Sequence, residues 1–291
     1  MTRPRYRLGC PVWACPEWQG SLYKRGSNRE QWLTQYSRVF MTVEGNSTFY
    51  GLPDSKTAIR WCRGTADGFR FALKFPRSVT HDAMLEGPLD ELDPFLDLLG
   101  ILEQHDRLGP SLLQLPPNFD GQRLSVLQRF LESLPSEFPV AVEVRHADYF
   151  DQGPIENKLH RLLKRLKIDQ ALFDSRPLFS EPPDDEIERV SQSRKPRSPL
   201  RTHRIGRHPM LRLVGRNRLE KVTPWLDSWA QVVAQWIHDG GEPYVFTHAP
   251  DDRYAPVMAS MFHDALTQYI PDLPEMPTWL GRLQPMQLEL F

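Results

Sequence analysis

Glu143 and Arg145 stand two residues apart in the run VAVEVRH at 140–146, so in an extended strand both project from one side. A carboxylate and a guanidinium so placed can hold a ligand and move a proton, or can pair with each other. Other apolar runs carry single polar residues in a similar way. Lys74 lies in RFALKFP (70–76), where Phe71, Leu73 and Phe75 have the opposite parity. Gln114 in SLLQLP (111–116), Asp174 in QALFDS (170–175) and Arg212 in MLRLVG (210–215) each sit near the C-terminal end of their run. In VEGNSTFY (43–50) a strand-like pattern, with Thr42, Glu44 and Asn46 on one face, gives way to Asn46, Ser47 and Thr48. The catalytic candidates are Glu143 as general base, Asp174 as a second proton-moving carboxylate, and Lys74 as an anion holder or, if desolvated, an amine nucleophile. The base role needs a pKa raised by burial, whereas Arg145 and Lys74 would push it down.

Elements must bring these residues together. Eight strand-like runs, at 7–14, 42–47, 70–76, 111–116, 140–146, 170–175, 210–215 and 243–249, are separated by helix-period segments at 28–40, 55–65, 91–108, 121–134, 155–167, 223–238 and 254–270. Eight strand–helix units in 291 residues favour a closed (β/α)₈ TIM barrel over an open sheet. The expected organisation is one barrel domain over 1–270, with a long loop at 176–209 between strands six and seven that lacks helical periodicity, and a proline-rich tail at 271–291. Active sites of such barrels lie at the C-terminal ends of the strands. The ligand-binding candidates there are Trp13, Asn46, Ser47, Thr48, Gln114, Arg145, His146, Arg212 and His248. Trp13 has the parity to point inward and could stack on a sugar or base.

Composition narrows the function classes. With 40% hydrophobic and 25% charged residues the chain can bury a sizeable core. No apolar run is long enough to span a bilayer and the N-terminus lacks a signal-like core, so a cytoplasmic protein is expected. Cys10, Cys15 and Cys62 are too few for a disulfide framework and match no zinc spacing. Glu44, His81, Glu143, His146, Asp174 and His248 are weak candidates for a divalent metal, which Lys74, Arg145 and Arg212 would repel unless an anion lay between. A divalent metal is possible but not favoured, and the sequence leaves any other cofactor open.

These strand-end motifs resemble the YecE-like family, known as domain of unknown function 72, over about residues 8–270. The resemblance rests on Gly9, Trp13, Trp18 and Gly20, on VEGNSTFY, on FALKFP with Thr80 and His81, on LLQLPPNF and on VEVRH. It implies a TIM barrel with its site at the C-terminal mouth and no established activity. Three departures are visible. Gly45 replaces a usually apolar residue, Val214 stands where the family has His, and Thr247 and His248 replace paired asparagines. The second half of the site is therefore expected to differ from its relatives.

Two further segments suggest partners. From Arg189 to Arg218 there is no Asp or Glu while Arg and Lys recur, after an acidic stretch that includes Glu181, Asp184, Asp185, Glu186 and Glu188. A polyanion such as nucleic acid could bind through 189–218, or the two halves could neutralise each other. The chain ends in Gln287-Leu288-Glu289-Leu290-Phe291, which resembles the clamp-binding motif of bacterial replication and repair proteins, with Gln287, Leu288, Leu290 and Phe291 as partner-binding residues. Three function classes follow. The first is a protein, expected to be an acid–base enzyme, that binds a small phosphate-bearing or otherwise anionic ligand. The second is a DNA-associated protein, a phosphodiester-cleaving barrel by analogy with the endonuclease IV fold. The third is a non-catalytic adaptor that presents its tail.

Overall fold

The computed structural model describes residues 6–283. Strands and helices alternate: β1 Arg7–Gly9, α1 Arg29–Ser37, β2 Thr42–Gly45, α2 Ser55–Gly64, β3 Arg70–Leu73, α3 Leu92–Gln104, β4 Ser111–Gln114, α4 Leu124–Ser133, β5 Val140–Glu143, α5 Pro154–Leu166, β6 Asp169–Asp174, α6 Glu186–Arg194, β7 Met210–Val214, α7 Thr223–His238, β8 Tyr244–His248 and α8 Ala255–Thr267. Every strand pairing is parallel. Six strands run in the order β1-β8-β7-β6-β5-β4, and β2 pairs with β3. Backbone bonds continue from that pair on both sides. The N–H groups of Met41 and Glu44 donate to the carbonyls of Leu8 and Cys10 at 3.2 and 3.1 Å, and Phe75 N–H donates to Leu112 at 3.1 Å.

Parity divides the strands into two faces. Ala72, Leu112, Ala141, Ala171, Met210, Tyr244 and Phe246 form one buried cluster, dominated in its first half by small side chains. Residues of the other parity, among them Val43, Phe71, Leu73, Leu113, Val142, Leu172, Leu211 and Val245, pack beneath the helices in the main core. Each such side chain, fully buried, contributes about 1.5–3 kcal/mol. Helix starts are set locally: Asn28 forms a capping box with Gln31 before α1, and Asp54 accepts from Thr57 N–H before α2.

The stretch between β6 and β7 differs from expectation, because it contains the helix α6. Asp185 caps it by accepting from Glu188 N–H at 2.7 Å, with Glu186 and Glu188 in the first turn and Arg194 in the last. An apolar stripe does not hold this helix. Glu188, fully buried, instead accepts from Arg216 at 2.7 Å and from Asn217 N–H at 2.8 Å, so a search for helical apolar periodicity passes over it. The tail is anchored as far as it is described. Trp279 is in the core, and a Cβ at Gly281 would lie 2.4 Å from the carbonyl oxygens of Ser21 and Tyr23, an approach only glycine allows. Gln287, Leu288, Leu290 and Phe291 lie outside the described residues.

Candidate active site at the strand C-terminal ends

Arg212, 4% exposed on β7, is the hub of a charge network built from the inward positions of several strands. Its Nε and Nη2 donate to the two carboxylate oxygens of Glu44 on β2, both at 2.7 Å, and its Nη1 donates to Glu143 on β5 at 2.5 Å. Arg145 closes the ring, with Nε donating to Glu143 at 2.7 Å and Nη2 to Gln114 of β4 at 3.0 Å. Asn46 Nδ2 donates to Glu44 at 2.7 Å and to the Pro11 carbonyl at 3.2 Å, and His248 Nε2 lies 3.1 Å from Glu44. The guanidinium carbons of Arg145 and Arg212 lie 5.1 and 5.5 Å from the centre of the Phe173 ring.

Lys74 is set apart from this network. It is buried beside the network, and its Nζ sits 3.7 Å over the Phe49 ring with no carboxylate partner among the described residues. Burial, and then the charge of Arg212, lowers its pKa to about 7. The carboxylates behave in the opposite way. Burial alone would raise Glu143, but Arg212 and Arg145 outweigh it and hold the group at about 2. Glu44 is likewise kept well below the usual range: burial opposes this, and Arg212 and His248 prevail.

Several sequence expectations need correction. Glu143 is a fixed anion, not a base poised near neutrality, because two guanidinia bind it directly. Asp174 does not face this site. Its carboxylate accepts from Trp229 Nε1 of α7 at 2.7 Å and from Arg176 at 2.8 Å, so it lies under the helices, and Phe173 takes the inward place. His146 caps the turn at Ala147–Phe150, where its Nδ1 accepts from Asp148 N–H at 3.2 Å. Thr48 donates to the carbonyls of Gly45 and Lys74, which ties two strand ends together, and Ser47 is exposed on that turn. Trp13, expected to point inward, instead packs against Trp61 of α2 and against Phe71, a residue of the outward parity, and lines a groove that reaches Glu44 and Asn46. Among the metal candidates only Glu44 and His248 touch, while His81 packs against Phe49 and is lowered to about 4 by burial and by Lys74.

Two residues were missed by sequence reasoning. Lys195, just after α6, has its pKa lowered by burial and then by Arg212, and the bond from Ser175 Oγ to the Pro196 carbonyl at 2.6 Å pins its neighbour to the end of β6. Asp252 follows β8, and burial raises it to about 6 against the opposing charge of Lys195. Its place just after a strand was an available signal. The departures from the family pattern are also absorbed. A Cβ at Gly45 would meet Leu73 Cδ2 at 2.4 Å, Val214 packs with Phe173 and Leu178, and Thr247 donates to the Ala255 carbonyl at 3.0 Å.

The basic stretch after α6 is largely paired within the chain. Arg201 binds Glu156, Arg207 binds Glu242, Arg216 binds Asp184 and Glu188, and Arg218 approaches Asp184, while Arg189 pairs with Glu186 inside α6. For Asp174 the geometry makes a clear forecast. Asp174→Ala is expected to cost about 1–3 kcal/mol in urea unfolding, because the buried Trp229 N–H loses its partner. Unchanged stability would show that this bond holds nothing in place and would return Asp174 to the candidate site.

The parallel α/β architecture and the polar cluster at its strand ends define an α/β protein with a buried ionised cluster at the C-terminal ends of its strands. Its sequence matches the family model described as protein of unknown function DUF72 over residues 7–279, and the chain belongs to that family. It is 34% identical to UPF0759 protein YecE of Escherichia coli K12 over 284 residues, which covers 98% of this chain and 99% of that one. Among solved structures, a DUF72 family protein from Thermotoga maritima matches with a TM-score of 0.69 at 23% identity, covering 90% of this chain and 98% of the other. A DUF72 family protein from Enterococcus faecalis matches with the same TM-score of 0.69 at 16% identity, covering 90% and 95%. No helix among the described residues is long and apolar enough to cross a membrane.

Proposed function

We propose that this protein is an enzyme that binds a small anion at the C-terminal ends of the strands and moves a proton on it, with Lys74 as the acid–base group. One observation carries the reading: Lys74 Nζ is buried without a carboxylate partner beside Arg212, with its pKa lowered to about 7, so that both protonation states of the amine are populated at pH 7. Arg212 is saturated by Glu44 and Glu143, so its part is to hold those side chains in place. The donors left for a ligand are Lys74 Nζ, the remaining N–H groups of Arg145, and Lys195. An anion there raises the pKa of Lys74, which lets the amine take a proton from the ligand it holds.

The reading takes the strands to close into a (β/α)₈ barrel, supported by the backbone bonds from β2 to the β1 strand and from β3 to β4. It places the protein in the cytoplasm, in keeping with free Cys10, Cys15 and Cys62. The internal pairing of the basic stretch favours a small anion over a nucleic acid. The nucleic-acid and adaptor readings rest on 189–218 and on the final pentapeptide.

Calorimetric titration with inorganic phosphate, pyrophosphate and a dicarboxylate is the test. At least one is expected to bind, and Arg145→Ala to weaken that binding about ten-fold or more without unfolding the protein. Binding by none of them, or unchanged affinity in the variant, overturns the proposal.

A further inference from the structure

A groove of about 870 Å³ runs outward from Glu44 and Asn46 between residues 11–14 and helices α1 and α2. Its floor is aromatic. Trp13 and Trp61 meet edge to face with ring centres 5.1 Å apart, both half-buried, and Leu33 adds an aliphatic wall. The outer rim carries Arg29, Arg60 and Arg63, all exposed and without an ion pair among the described residues, against the single acid Glu30.

From this geometry we infer that the anion bound at the strand ends carries a planar ring, which lies against Trp13 and Trp61, so that the substrate class is a ring-bearing organic phosphate. The inference rests on the strand-end anion pocket proposed above and adds what lies beyond it. Aromatic faces favour flat, polarisable groups, and a rim of three cations to one anion favours a ligand whose body is itself negative or rich in acceptors. A neutral apolar occupant would leave those cations without a role. Phenyl phosphate and adenosine 5′-monophosphate are probes that combine a planar ring with a phosphate.

The full chain is titrated calorimetrically with inorganic phosphate, phenyl phosphate, adenosine 5′-monophosphate and glucose 6-phosphate. The two aromatic phosphates are expected to bind at least about ten-fold more tightly than phosphate, with no such gain for the saturated sugar. Trp13→Leu removes the gain and leaves phosphate affinity intact. An Arg60→Ala/Arg63→Ala chain, altered only at exposed positions, loses several-fold for adenosine 5′-monophosphate. An equal gain from glucose 6-phosphate, or a gain that survives Trp13→Leu, overturns the ring assignment. Phosphate binding with no ring gain defeats this inference and leaves the anion pocket standing. A ring gain untouched by Arg145→Ala defeats the pocket and leaves the groove.

Discussion

Arg212→Met is expected to destabilise the protein by about 3–5 kcal/mol in urea unfolding at pH 7, the usual cost of stranding buried charge. The substitution leaves Glu44 and Glu143, 0% and 1% exposed, without the guanidinium that binds three of their oxygens. The sign of the pH dependence follows. In the parent chain Glu143 has a folded pKa near 2, so its contribution is present above its ordinary value of 4.5 and is lost as acid takes the pH towards 2. In the variant both carboxylates rise from their parent values, Glu44 the further because Glu143 keeps Arg145, so their penalty is relieved as they gain protons. The gap between the two proteins therefore narrows on going from pH 7 to pH 4.5. Neutralising all three positions, as Glu44→Gln/Glu143→Gln/Arg212→Met, recovers much of the loss. A gap below about 1 kcal/mol at pH 7 would mean that the network is hydrated and not the buried hub described above.

Lys74→Met acts in the opposite direction. The folded pKa of Lys74 is about 7 against an ordinary 10.5, so between those values the unfolded chain holds a proton that the folded chain does not. Stability then rises with pH across that window and is lowest below pH 7, where the fold must carry the charged amine. Removing the amine is expected to stabilise the protein by about 2–4 kcal/mol at pH 6, with a smaller effect by pH 10, and to abolish anion-dependent proton transfer. Parallel stability curves for the two proteins from pH 6 to 10 would show that Lys74 is ordinarily solvated, and the acid–base role would go with it. Burying a lysine without a carboxylate partner costs stability, which is the motive for the acid–base role proposed for Lys74.

Much of this arrangement was legible in the amino-acid order. The eight apolar runs became eight parallel strands because alternation with helical segments leaves little other architecture for them, and the inward parity of Glu44, Lys74, Gln114, Glu143 and Arg212 follows from the two-residue repeat. Family membership rested on motifs at those same strand ends. Parity failed at Asp174, because an interior position can be filled by an aromatic ring that serves as a face for cations. It could not find α6 either, a helix held by a buried ion pair and a cap.

The pairing pattern was decided only in three dimensions. Which of two arginines saturates both carboxylates, and which lysine is left alone, depends on distances of a few tenths of an ångström between segments far apart in the chain. These distances turned Glu143 from a candidate base into a fixed anion and lowered the pKa of Lys74 to about 7. Local sequence sets the direction in which a side chain points. Its charge state depends on the neighbours that packing brings to it, because burial and Coulomb attraction act through space.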